Sequence, residues 1–178
     1  LALKDLDSVQ KRLSKDERAA KGPDKKAKQA VEVWQKLISV LDQGKAARTA
    51  ELTEDETAIA NELQLLTGKP VLYCCNVLES DINTGNAHVE TVRARAAAEG
   101  AGVVMISGKI EAELSQLEPD EKAVFLEELG LKESGLDSVI RAAFKLLGLS
   151  TYFTAGVQEV RAWTFKTGSK APVCAGVI

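Results

Sequence analysis

A chain of 178 residues suffices for one domain with a real core, or for a domain with a small appendage. Its 45% hydrophobic and 28% charged residues are those of an ordinary soluble globular protein. No run approaches the ~18 apolar residues that span a membrane. The net charge of −3 is unevenly divided: residues 1–45 hold an excess of four positive charges, so the remainder holds seven negative ones. That is a basic appendage on an acidic body. The opening LALKDLDSVQKRL lacks the apolar core and cleavage pattern of a signal peptide. Three cysteines make no disulfide framework, and His88, the sole histidine, excludes metal-type His/Cys spacing. A reduced, cytosolic (cytoplasmic) protein is expected.

Leu6, Val9 and Leu13 form an apolar stripe that fades near Asp16. Ala27, Ala30, Trp34, Leu37 and Leu41 then fall at alternating steps of three and four, a coiled-coil seam. Between them, Lys21-Gly22-Pro23-Asp24 breaks the helix: glycine permits a left-handed stop, and proline suits the first turn of the next helix. The expectation is an antiparallel helical hairpin over residues 1–52, ended by Gly44. Thr53 and Glu56 form a T-x-x-E capping box for a helix running to about Leu66, with Gly68 and Pro70 at its end.

A short apolar run at 71–75 reads as a parallel strand buried on both faces, with Cys74 and Cys75 pointing to opposite sides and packing the core. A polar loop at 79–87 and a helix from about His88 to Glu99, stopped by Gly100, lead to a second strand at 103–106. This order is a βαβ unit. Lys109–Leu117, Asp120–Leu129 and Leu136–Leu147 read as helices. The last carries Leu136, Val139, Ile140, Phe144 and Leu147 on one face. Thr151–Phe165 is β-branched and aromatic, as strands are, and Pro172 suits the start of a further helix. The expected division is thus 1–52, 53–150 and 151–178, and both ends read as cuts through a larger protein.

Each buried strand stops abruptly at a polar cluster, Asn76 with Glu79 after the first and Ser107-Gly108-Lys109 after the second. Ligands of open α/β sheets lie outside such strand ends. An amide at 76 can donate to a purine nitrogen and brace a neighbouring loop, and a carboxylate three residues on can accept from the base edge. Glycine lets backbone N–H groups approach a ring, and a lysine stem can cover its face. The usual guanine motif is N-K-x-D. Here the quartet is Asn76-Val77-Leu78-Glu79, without the lysine and with a carboxylate one methylene longer. Glu79 is thereby displaced from a guanine-reading position. That favours adenine or relaxed specificity, and adenine is the expectation.

KPVLYCCNVLES, SGKIEAELSQL, LGLSTYFTAGVQEVRAWTFKTG and APVCAGVI together resemble the YchF-type P-loop NTPases, relatives of the Obg GTPases. The four blocks span 69–178, and the resemblance also implies a helical insertion before them. It implies the C-terminal part of a Rossmann-like P-loop domain with a parallel sheet, followed by the start of a β-grasp TGS domain. It carries over Asn76, Val77 and Glu79 as base contacts, Ser107, Gly108 and Lys109 as the second base loop, and N-x-x-E as preferring ATP over GTP. It implies magnesium and phosphate held by residues outside this chain, which contains no G-x-x-x-x-G-K-[ST]. These 178 residues alone are therefore expected not to hydrolyse ATP.

From Lys11 to Lys28 the chain holds eight Lys or Arg against three acids, around the hairpin tip. Such a tip can reach phosphates non-specifically. Without aromatics there, sequence-specific reading of RNA or DNA is not expected. The ribosome association implied by the resemblance points to Lys11, Arg12, Lys25 and Lys26 as ribosomal RNA contacts. The rival reading is a ribosome- or RNA-binding module with nucleotide as regulator only. His88, Glu111 and Glu113 are expected to be surface groups, Trp34 a seam residue and Trp163 a strand residue.

Overall fold

In the computed structural model, which describes residues Leu1–Ile178, the two leading stripes form helices α1 (Ala2–Ala20) and α2 (Lys25–Asp42). Val9 of α1 and Val33, Trp34, Leu37 and Leu41 of α2 are buried together, with Leu6, Leu13 and Ala30 packed around them. The heptad-like spacing thus buries one stripe on each helix. Val33, outside the seam spacing, is as buried as Trp34.

The turn between the helices works differently from the expectation. Gly22 is not left-handed; the positive-φ glycines are at 44, 85, 100, 130, 148 and 168. Pro23 precedes the cap rather than opening the helix. Asp24 does the work: its carboxylate accepts from the N–H groups of Lys26 (2.9 Å) and Ala27 (3.3 Å). These are donors that a helix start otherwise leaves unpaired.

Helix α3 (Glu54–Asn61) begins at the expected box: Thr53 Oγ1 accepts from Glu56 N–H, and Glu56 Oε2 accepts from Thr53 N–H. It ends at Asn61, short of Leu66, and Gln64 turns to φ +49°. The reason is long-range. Asp5 of α1, 2% exposed, accepts from Leu66 N–H (2.9 Å), Thr67 N–H (2.6 Å) and the Thr67 hydroxyl (2.7 Å). Those N–H groups cannot also serve a continuing helix. Ile59, Ala60 and Leu63 pack on the α1/α2 core, and Lys36 pairs with Glu56 at 2.6 Å. Residues 53–70, placed by sequence with the nucleotide-binding half, therefore belong to the helical unit Leu1–Pro70.

The second unit, Val71–Ile178, starts with strand β1 (Leu72–Asn76), helix α4 (Ala87–Glu99) and strand β2 (Gly102–Ile106). The strands pair in parallel, from Leu72 opposite Gly102 to Asn76 opposite Ile106. Asn86 caps α4 by accepting from His88 and Val89 N–H, and Gly100 stops it at φ +65°. The strands are not buried on both faces as expected. Cys74 is exposed and Cys75 half-buried, because a sheet of two strands covers neither its faces nor its edges completely.

Helices α5 (Gly108–Leu114), α6 (Pro119–Glu128) and α7 (Gly135–Leu146) follow. The apolar face of α7 is only partly covered: Val139 and Phe144 are half-buried, while Leu136, Ile140 and Leu147 are exposed. Strands β3 (Leu149–Ala155) and β4 (Val160–Lys166) form an antiparallel pair, and a short helix, α8 (Ala171–Ala175), follows them. Tyr152 donates to the Cys174 carbonyl at 2.8 Å, and Trp163 donates to Thr154 Oγ1 at 2.9 Å. No helix is long and apolar enough to cross a membrane.

Candidate nucleotide-base site

Parallel pairing brings the two polar clusters together. Asn76 ends β1 opposite Ile106, and Val77 N–H donates onward to the Ile106 carbonyl at 2.8 Å. The Asn76 side chain then reaches the next residue pair: its Oδ1 accepts from Gly108 N–H at 2.9 Å. One amide thus ties the end of β1 to the start of α5. A methyl at position 108 would stand 3.5 Å from that Oδ1, an ordinary contact. The brace does not force glycine here; glycine leaves the adjoining surface open.

Glu79 opens a single 3₁₀ turn, Glu79–Asp81, and its Oε2 accepts from Lys109 Nζ at 3.2 Å. Lys109 also stands 3.8 Å from Glu113 Oε1, one helical turn on. The hydrogen bond and charge of Glu79, with the charge of Glu113, push the Lys109 ammonium above its ordinary pKa. Lys109 and Glu113 are exposed on α5. Ser107 differs. It is 2% exposed, its hydroxyl makes no hydrogen bond, and it lines a cavity of about 230 Å³ with Ile110, Glu111 and Gly135. Its share of the open wall is therefore backbone, not side chain.

A second cavity, about 300 Å³, adjoins Asn76 and Val77 and is lined by Tyr73, Cys74, Cys75 and His88 among others. His88 is exposed, with its backbone N–H held by Asn86. Desolvation and the neighbouring Cys75 push the Cys74 thiol above its usual pKa, so the reactive thiolate is disfavoured.

Two acids have roles that local sequence did not reveal. Glu111, expected on the helix surface, accepts from Gly135 N–H (2.7 Å) and Leu136 N–H (3.3 Å), closing the start of α7. A Cβ at Gly135 would fall 2.8 Å from Glu111 Oε1 and 3.0 Å from Ile106 Cγ2, so a side chain there would have to push both neighbours aside. Ser134, whose hydroxyl accepts from Asp137 N–H at 3.0 Å, is the cap that a sequence signal could have found. Asp5 is the other acid, and its partners lie about sixty residues away.

The basic tip is also less uniform than its composition. Arg12 donates to Asp16 (2.8 Å) and Glu62 (2.9 Å) and lies 5.7 Å from the Trp34 ring centre. Asp16 also accepts from Trp34 Nε1 at 2.8 Å. Arg12 is thus held within the helical unit, unlike a free tip cation. Lys11 pairs with Asp7 at 2.8 Å, whereas Lys25 and Lys26 are exposed on the first turn of α2. No three His, Cys, Asp or Glu side chains converge to hold a metal ion.

A parallel βαβ unit with polar groups gathered at its strand ends makes Val71–Ile178 an α/β unit. The family model YchF-GTPase_C, described as a protein of unknown function (DUF933), matches residues 149–178. Over its whole length the chain is 49% identical to the ribosome-binding ATPase YchF of Bacillus subtilis, of which it spans 49%. It is 43% identical to the protein of the same name from Escherichia coli O157:H7, again over 100% of this chain and 49% of the relative. Obg-like ATPase 1 of Rattus norvegicus is 36% identical over 100% of this chain and 46% of that protein. The structure of the Schizosaccharomyces pombe YchF GTPase matches 99% of this chain and 49% of its own, with a TM-score of 0.85 at 28% identity. Across its whole length the chain is similar to members of the YchF family. It spans about half the length of the curated relatives it matches.

Proposed function

We propose that this chain carries the base-binding half of a nucleotide site in a cytoplasmic, ribosome-associated ATPase that prefers ATP over GTP. Asn76, Val77 and Glu79 contact the base from one strand end. Ser107, Gly108 and Lys109 form the opposing loop, Ser107 through its backbone. The observation that carries this reading is the Asn76 bond to Gly108 N–H, which ties two loops together at one edge. Preorganised polar groups of this kind lower the ordering cost of binding. The names of the relatives, ribosome-binding ATPase and Obg-like ATPase, support the same assignment.

Hydrolysis is assigned to the full-length protein and to residues outside this chain. Magnesium would there neutralise phosphate charge; the residues present here offer it no cluster. Residues 149–178 are read as the beginning of a TGS-type β-grasp domain, supported by the β3–β4 pair and the family match over that segment. Ribosomal RNA contact falls to Lys25 and Lys26, then Lys11, rather than to the internally paired Arg12.

Competition of unlabelled ATP and GTP for a fluorescent nucleotide on the full-length protein measures the preference. ATP is expected to displace the probe at lower concentration. Asn76→Ala should weaken both nucleotides by up to about tenfold, the loss of one hydrogen bond at roughly 1.4 kcal/mol. A strong guanine preference defeats the assignment of Glu79.

A further inference from the structure

We infer that Lys109 tunes base selectivity by holding Glu79 in an ion pair that a guanine has to break and an adenine does not. The inference rests on the base-site reading above. Guanine presents two donors on its pairing edge, N1–H and the exocyclic amine, and a carboxylate that reads both has to turn one oxygen to each. In this structure Glu79 Oε2 is occupied by Lys109 Nζ at 3.2 Å. Adenine presents a single donor, the exocyclic amine, beside an acceptor nitrogen. The remaining oxygen of Glu79 is enough for that donor. Lys109 is therefore a positioning residue that acts through Glu79.

Glu113 supplies an internal control. It stands 3.8 Å from the same ammonium and competes with Glu79 for it. Removing the charge of Glu113 leaves Lys109 to Glu79 alone and should sharpen the selectivity, the opposite of removing Lys109. All three side chains are substantially exposed, at 70% for Lys109, 43% for Glu79 and 45% for Glu113. The pair is therefore weak and screened by salt. An exposed pair of this kind corresponds to a change of about two- to fivefold in relative affinity.

The test is ATP and GTP competition on the full-length protein at low and high salt, for the wild type, Lys109→Met and Glu113→Gln. Methionine keeps the apolar stem and removes only the charge. Lys109→Met is expected to lower the ATP-to-GTP affinity ratio by about two- to fivefold and to abolish its salt dependence. Glu113→Gln should raise the ratio at low salt. A ratio unchanged in Lys109→Met, with both nucleotides still bound, overturns the ion-pair inference and leaves the base site standing. If neither nucleotide displaces the probe from the wild type, the base-site reading falls and this inference with it.

Discussion

Replacing Trp34 by alanine is expected to destabilise the Leu1–Pro70 unit by about 3–5 kcal/mol, the usual cost of emptying a buried indole site. Trp34 is fully buried, at the centre of a core made with Val9, Val33, Leu37 and Leu41. Its ring also underlies the Arg12 guanidinium, and its Nε1–H satisfies Asp16. Truncation therefore removes packing and leaves Asp16 with one donor fewer in a half-buried position. Hydrogen exchange of the α1 and α2 amides reads this locally, and at this cost it should accelerate by roughly a hundredfold or more. Trp34→Phe keeps much of the volume but not the donor, and should cost about 1–2 kcal/mol. Exchange in Trp34→Ala indistinguishable from wild type would remove the indole from the centre of this unit.

Asp5→Ala is the second large effect. The substitution leaves the N–H groups of Leu66 and Thr67 and the Thr67 hydroxyl without their acceptor, and should cost about 3 kcal/mol at neutral pH. Burial opposes ionisation of Asp5. The hydrogen bonds from the Thr67 hydroxyl, Thr67 N–H and Leu66 N–H outweigh it and hold the carboxyl below its ordinary value of 3.8. A carboxyl depressed by folding contributes stability that is complete above the unfolded-state pKa and lost as pH falls through the folded one. The gap between wild type and Asp5→Ala should therefore persist from neutral pH to about pH 5 and narrow in strong acid. Protection of the 66–68 segment, followed by hydrogen exchange or acid titration, is the readout. A gap that widens on acidification would mean that Asp5 is bound as the neutral acid.

The features legible in the sequence are those whose cause is local. The seam of Ala27, Ala30, Trp34, Leu37 and Leu41 needs only helical periodicity, and all but the half-buried Ala30 are buried. The Thr53–Glu56 box and the Gly100 stop are complete within a few residues of themselves. Features decided by distant partners were not legible. The early end of α3 is imposed by Asp5, and the covering of the α7 start by Glu111 comes from another helix. The same holds for Arg12: composition made it a tip cation, and Asp16, Glu62 and Trp34 took it inward.

The base site lies between these cases. Two apolar runs ending in polar clusters suggest neighbouring strand ends, and the parallel register brings Asn76 to Gly108. The pairing of Glu79 with Lys109 could not be read from spacing, because thirty residues separate them. Ser107 shows the limit from the other side. Its place in the motif put it on the wall of the base site, yet its side chain is buried where α5 begins.

Photolabelling of the full-length protein with an azido-adenine nucleotide, followed by peptide mapping, decides whether these strand ends hold the base. Label is expected on the segments 72–79 and 106–113, removed by excess ATP and less effectively by GTP. Label confined to other segments, with these two untouched, would contradict the base-site reading.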